Sequence, residues 1–112
     1  MLAAALALTS PVAADPGPSA QAEIDHLLRF VAASPCTFVR NGIAYPAPEA
    51  RKHLAEKLRA ARSRISTAED FIRGLASKSS MSGEPYLIRC DNQSVPAGVW
   101  LSDELRRFRA LP

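Results

Sequence analysis

The sequence predicts a mainly helical α+β domain in which three to four helices pack with a small antiparallel sheet held by one disulfide. Apolar residues recur at helical spacing in several segments, and short runs rich in β-branched residues lie between them. The chain also contains two cysteines. Its 112 residues leave room for one domain only. Charged residues make up 22% and hydrophobic residues 47%, which is typical of a folded globular chain rather than a disordered one.

The first fourteen residues carry no charge and resemble the apolar core of a secretory signal peptide. Small residues at Val12 and Ala14 offer a cleavage site after Ala14. A signal peptide normally opens with Lys or Arg, so we expect the true start of residues 1–14 to lie upstream. The run is well below the roughly 20 residues that span a bilayer. We therefore expect a periplasmic or secreted protein whose mature chain has no transmembrane segment.

Residues 15–20 are rich in Pro, Gly and Ser and predict a linker, followed by a single globular domain over residues 21–112. The first helix is predicted from about Ala20 by apolar residues at i, i+3, i+4 and i+7, and it ends before Ser34-Pro35. These apolar residues are Ile24, Leu27, Leu28 and Val31.

Residues 36–45 alternate apolar and polar side chains around Asn41-Gly42, which is typical of a tight hairpin turn. A long helix is predicted next, from Pro48 to Ile65, because its apolar residues form one continuous stripe. The stripe consists of Ala50, Leu54, Leu58, Ala61 and Ile65.

A third helix is predicted after residue 66, where Ser66 with Glu69, or Thr67 with Asp70, could form a capping box. Residues 77–84 indicate a surface loop, and residues 85–90 a strand lying beside residues 36–40. The last helix is predicted to begin at a Ser102 cap and to bury one apolar face, made of Leu101, Leu105 and Phe108. The sequence shows no internal repeat.

Cys36 and Cys90 are expected to pair, because an exported chain folds in an oxidising compartment. The loop of about 55 residues that they close contributes about 4 kcal/mol of stability. Two alternatives use the same sulfur atoms. One is a Cys36 nucleophile with His53 as its base, and the other is a metal site made of Cys36, Cys90, His26 and His53. No close ligand pair of the kind found in zinc sites is present. We expect no catalytic cysteine, no metal ion and no cofactor.

The tip of the predicted hairpin offers the chemistry of a binding site. Arg40 and Asn41, with Tyr45 and His53 nearby in sequence, could clamp a carboxylate or a sugar. The alternative is ordinary turn chemistry with Tyr45 in a packing role. A basic face on the long helix is either a solvated surface or a contact for anions. It contains Arg51, Lys52, Arg59, Arg62 and Arg64.

Four segments together resemble a family of bacterial secreted proteins, the domain of unknown function 5329. They read IDHLLRFV, SPCTFVRNGIAY, ARKHLAEK and TAEDFIRGLASKSSMSGEPYLIRC. The resemblance covers residues 23–108 and implies a small secreted fold with two cysteines and no assigned activity. The residues that carry the family pattern are Cys36, Cys90, Arg40–Gly42, His53–Lys57 and Ser79–Tyr86.

We therefore expect a periplasmic, non-enzymatic binding or interaction module. Its partner would be a protein or an anionic envelope polymer, since export removes most nucleic acid from view and the formal net charge is only +3. The alternative is a small hydrolase, or an inhibitor of one, directed at the cell wall, with Ser79, Ser80 or His53 in its site. The expected ligand-binding residues are Arg40, Asn41, Tyr45, His53, Lys57, Ser79, Ser80 and Tyr86.

Overall fold

The computed structural model describes residues 15–112, and the predicted signal peptide over residues 1–14 lies outside the described residues. The described chain is an α+β fold with four α-helices and one four-stranded sheet, which confirms the predicted class. The elements are α1 (Pro18–Ala33), β1 (Thr37–Arg40), β2 (Ile43–Tyr45), α2 (Ala47–Ala61), α3 (Ala68–Phe71), β3 (Leu87–Cys90), β4 (Gln93–Pro96) and α4 (Ala97–Arg109).

The sheet has the order β2-β1-β3-β4, and every neighbouring pair is antiparallel. The predicted first hairpin is confirmed, with positive φ angles of 50° at Asn41 and 79° at Gly42. The predicted pairing of β1 with β3 is also confirmed, and Phe38 lies opposite Ile88. The Cys36–Cys90 disulfide closes one end of this central pair, with a Cα–Cα distance of 4.8 Å.

The helices cover one face of the sheet and form the core with it. Phe38 and Ile88 point into that core, whereas Thr37 and Arg89 on the opposite face are exposed. The predicted apolar faces of α1 and α2 are buried, and α1 packs chiefly against α2. Within residues 15–112, no helix combines the length and apolar character needed to cross a bilayer.

Several helix boundaries differ from the predicted ones by a few residues. The first helix begins at Pro18, so part of the predicted linker is helical. The second ends at Ala61 and is followed by a 3₁₀ turn, after which Ile65 is still buried. The Thr67–Asp70 capping box forms at the start of α3, which continues as a π-helical segment, Ile72–Ala76.

The predicted Ser102 cap is wrong, because α4 begins five residues earlier, directly after Pro96. Strand β4 precedes it and is fully exposed, so its sequence lacks the alternation that predicts a strand. The turn before β4 consists of Asp91 and Asn92, whose φ angles of 49° and 69° match those of a tight hairpin. Ser102 lies inside the helix as a result.

The fold contains a structural repeat that the sequence conceals. Each half of the sheet is a hairpin followed by Pro, Ala and a helix: β1-β2-α2 and β3-β4-α4. Pro46-Ala47 and Pro96-Ala97 occupy equivalent positions. The registers agree as well, since Val39 pairs with Ala44 as Arg89 pairs with Ser94. Little besides the Pro-Ala step is shared in sequence, which is why no repeat is predicted.

Candidate functional site

A cavity of about 450 Å³ opens between the first hairpin and α2. Its polar wall comes from the end of β1, from β2, from α2 and from the residue that precedes β3. These wall residues are Arg40, Tyr45, His53 and Tyr86. Its apolar floor includes Phe38, Leu54 and Leu101. The volume lies within the range of small-molecule sites in proteins.

Arg40 is the centre of the polar wall. One guanidinium nitrogen donates to the Tyr45 hydroxyl at 3.2 Å, and the guanidinium carbon lies 5.0 Å from the centroid of the Tyr45 ring. Another nitrogen lies 3.1 Å from Nε2 and 3.3 Å from Nδ1 of His53. No carboxylate within residues 15–112 forms an ion pair with Arg40. The side chains that Arg40 contacts, Tyr45 and His53, are therefore both uncharged.

His53 is held as a neutral ring by these surroundings. Burial lowers its pKa most, and the positive charges of Arg40 and Lys57 lower it further, against a smaller opposing effect of Glu56. An arginine can only donate, so the contact with Arg40 needs a ring nitrogen without a proton. His53 Nε2 also lies 3.3 Å from the Tyr86 hydroxyl.

Lys57 brings a second cation to this cluster, beside Tyr86. Its ammonium group donates to the Tyr86 hydroxyl at 3.0 Å and to the backbone carbonyl of Lys78 at 3.3 Å. Burial, and then the charge of Arg40, lower the pKa of Lys57. Burial raises the pKa of Tyr86, with Arg40 opposing, so the phenol stays protonated. In the described chain Lys57, like Arg40, has no carboxylate partner.

Asn41 and Ser79 form a neighbouring network that fastens the loop after α3 to the hairpin tip. The buried Ser79 hydroxyl accepts from Asn41 Nδ2 at 3.4 Å and from the backbone N–H groups of Met81 and Ser82. The Ser82 hydroxyl donates to Asn41 Oδ1 at 2.5 Å. Ser80 is exposed and takes part in neither network. Four of the eight expected binding residues thus line the cavity and Lys57 contacts one of them, Tyr86. Asn41 and Ser79 hold the neighbouring loop, and Ser80 stands apart.

Sequence reasoning missed two carboxylates, Glu49 and Glu56, which line the cavity together with Lys52. Their spacing from His53 could have indicated this, because on α2 Glu49 and Glu56 each lie one helical turn from His53 and Lys52 lies next to it. Of the predicted basic face, Lys52 lines the cavity whereas Arg51 and Arg59 do not.

The remaining candidates for chemistry lie elsewhere. Both cysteines are in the disulfide, and His26 contacts Glu104 at 2.6 Å and stacks on Phe108. Within residues 15–112, no three His, Cys, Asp or Glu side chains are grouped so that they could hold a metal ion.

The lowered pKa of His53 predicts a pH dependence of stability. The unfolded chain takes up a proton at His53 near pH 6.5, before the folded chain does, so the free energy of unfolding falls as the pH drops from about 6.5 through the folded-state pKa. Above that window His53 contributes no slope. Urea unfolding between pH 5 and 8 should therefore show a shallower pH dependence for His53→Gln than for the unmodified protein. Parallel profiles would contradict the assignment.

Comparisons with known proteins agree with one another. A family model described as a family of unknown function, DUF5329, matches residues 18–109. The chain is 46% identical over 83 residues to the uncharacterized protein YfeK of Salmonella typhimurium (strain LT2), an alignment that covers 73% of this chain and 69% of that protein. No solved structure matches the chain. Neither the family nor the Salmonella protein has an assigned activity, so the cavity is the feature from which a function can be inferred.

Proposed function

We propose that this chain, which belongs to the DUF5329 family of unknown function, is an exported, non-enzymatic module that binds an anionic group. The proposal follows from the residues of its cavity. One observation carries the proposal. Arg40 lines the cavity, Lys57 contacts the hydroxyl of the cavity-lining Tyr86, and both donate only to uncharged groups of the described chain.

A carboxylate or phosphate oxygen is a better acceptor for both cations than the groups they contact now. Hydrogen bonds between two charged groups are shorter and about twice as strong as those between neutral groups. The Arg40 contacts to Tyr45 and His53 are long, at 3.1 to 3.3 Å, so an anion entering the cavity replaces weak contacts with strong ones. The negative charge of the bound anion then favours protonation of the His53 imidazole.

The anion belongs to an envelope polymer or to a protein of the same compartment. The predicted signal peptide directs the chain out of the cytoplasm, and the Cys36–Cys90 disulfide is of the kind that persists in oxidising compartments. The formal net charge of +3 favours encounters with anionic surfaces.

The hydrolase alternative draws less support from the site. A serine nucleophile needs a general base within about 3 Å. The ring nitrogens of His53 contact Arg40 and Tyr86, and the Ser79 hydroxyl accepts N–H groups of its own loop and of Asn41. No serine hydroxyl bonds to His53 within the described residues, so binding is the function that the contacts favour.

A pair of matched probes tests the proposal. Titration of the oxidised mature protein with N-acetyl-L-leucine should shift the NMR signals of His53 and Tyr86 in a saturable way, and the uncharged N-acetyl-L-leucinamide should bind at least 10-fold more weakly, about the loss of one charge-assisted hydrogen bond. Lys57→Met should weaken carboxylate binding about 10-fold. Arg59→Met makes the same charge change outside the cavity and should leave affinity unchanged. Equal affinities for acid and amide would refute anion binding.

A further inference from the structure

We propose that the ligand is a small zwitterion, a free amino acid or an intact short peptide, whose carboxylate lies at Arg40 and whose ammonium group lies at Glu49 and Glu56. The inference rests on the proposed anion-binding function, adds a second recognition element to it, and replaces the polymer or protein as the source of the anion by a small zwitterion of the same compartment. It follows from charges of both signs that line one cavity without neutralising each other.

The two carboxylates are placed by the helix. Glu49 lies four residues before His53 on α2, and Glu56 lies three residues after it, so all three project from one face. Both glutamates are exposed and both line the cavity. The negative charge of Glu56 is close enough to act on the ionisation of His53.

Neither glutamate is neutralised by an ion pair within residues 15–112. Lys52 lies between them on α2, at spacings that allow pairing with either, yet its ammonium group is not within 4.0 Å of a carboxylate oxygen. Arg40, which lines the same cavity, and Lys57, which contacts Tyr86, are equally unpaired. The cavity lining therefore includes a positive pole at Arg40 and a negative pole at Glu49 and Glu56, and no ion pair joins the two.

These unpaired charges of both signs discriminate between ligand classes. A purely anionic ligand would gain at Arg40 but would be repelled by Glu49 and Glu56, and a purely cationic ligand would meet the reverse. A ligand with an ammonium group and a carboxylate satisfies both poles at once. The apolar floor of Phe38, Leu54 and Leu101 receives an aliphatic side chain between them. An amino acid or a short peptide carries all three features.

L-leucine and two derivatives that each lack one of its charges test the inference. N-acetyl-L-leucine lacks the ammonium group and L-leucinamide lacks the carboxylate. Each is titrated into the oxidised mature protein and followed by the NMR signals of His53 and Tyr86. We expect L-leucine to bind about 3- to 10-fold more tightly than N-acetyl-L-leucine, since exposed ion pairs are individually weak. L-leucinamide should bind most weakly of the three. The double variant Glu49→Gln/Glu56→Gln should abolish the advantage of L-leucine without weakening N-acetyl-L-leucine.

A matched control removes two exposed acidic charges away from the cavity. Asp15→Asn/Asp91→Asn should retain the full preference for L-leucine. If N-acetyl-L-leucine binds as tightly as L-leucine, the zwitterion inference is wrong while anion binding stands. If all three probes bind equally or none binds, the proposed function itself fails.

Discussion

Replacing both Cys36 and Cys90 by alanine is expected to lower the free energy of unfolding by about 4 kcal/mol. The bond joins residues 54 positions apart, so its removal restores a large conformational freedom to the unfolded chain. A domain of about 100 residues has a net stability of roughly 5 to 15 kcal/mol, so the loss is about a quarter of it or more. Urea unfolding followed by circular dichroism measures the change.

Reduction of the unmodified protein provides the control for that measurement. A reducing agent should bring its unfolding midpoint close to that of the double alanine variant, and it should leave the variant itself unchanged. Substituting both cysteines together avoids a half-buried unpaired thiol, which would add its own effect. A loss below about 1 kcal/mol would contradict the view that the disulfide is a main source of stability.

Arg40→Met is expected to weaken binding of N-acetyl-L-leucine about 100-fold. The substitution keeps a side chain of similar length but removes the charge and the forked donors that grip a carboxylate. Hydrogen bonds to charged groups contribute about 1.5 to 3 kcal/mol each, which corresponds to this change in affinity. Arg40→Lys, which keeps the charge without the fork, should recover only part of the loss.

A second measurement separates this effect from general damage to the fold. In Arg40→Met the pKa of His53 should rise, because a positive charge beside the ring is gone, although burial and Lys57 still act on it. Arg51→Met makes the same charge change on α2 outside the cavity and should alter neither the affinity nor the His53 titration. Unchanged affinity in a folded Arg40→Met protein would remove the proposed anion site.

The predictable parts of this fold are those whose signal lies within one short segment. Asn41-Gly42 specifies its hairpin through the φ angles that these residues adopt easily, and the stripe through Leu54 and Leu58 needs only helical periodicity. Strand β4 depends on its neighbours instead, since Gln93 to Pro96 is exposed, shows no apolar alternation and pairs with β3 beside it. Because no strand is predicted at β4, the predicted start of α4 is also displaced.

The candidate site shows the same division. Arg40, Tyr45 and His53 could be proposed from sequence, because they lie close together along the chain around the hairpin turn. Lys57 could be proposed from the family pattern that it shares with His53. Ser79 was expected to contact a ligand, but its hydroxyl is occupied by its own loop and by Asn41. Glu49 and Glu56 escaped notice because exposed carboxylates on a helix are usually only solvated, and nothing local marks a cavity beside them.

The ladder between β1 and β3 has the disulfide at one end and the candidate site at the other. Thr37 pairs with Arg89 and Val39 with Leu87, so continuing the register brings Cys36 opposite Cys90 and Arg40 opposite Tyr86. A slip of two residues, the smallest that keeps side chains on their faces, would carry Tyr86 about 7 Å along the strand. The covalent bond forbids that slip. Thiol oxidation thus fixes the alignment in which Arg40 and Tyr86, from the two strands, meet at the polar wall.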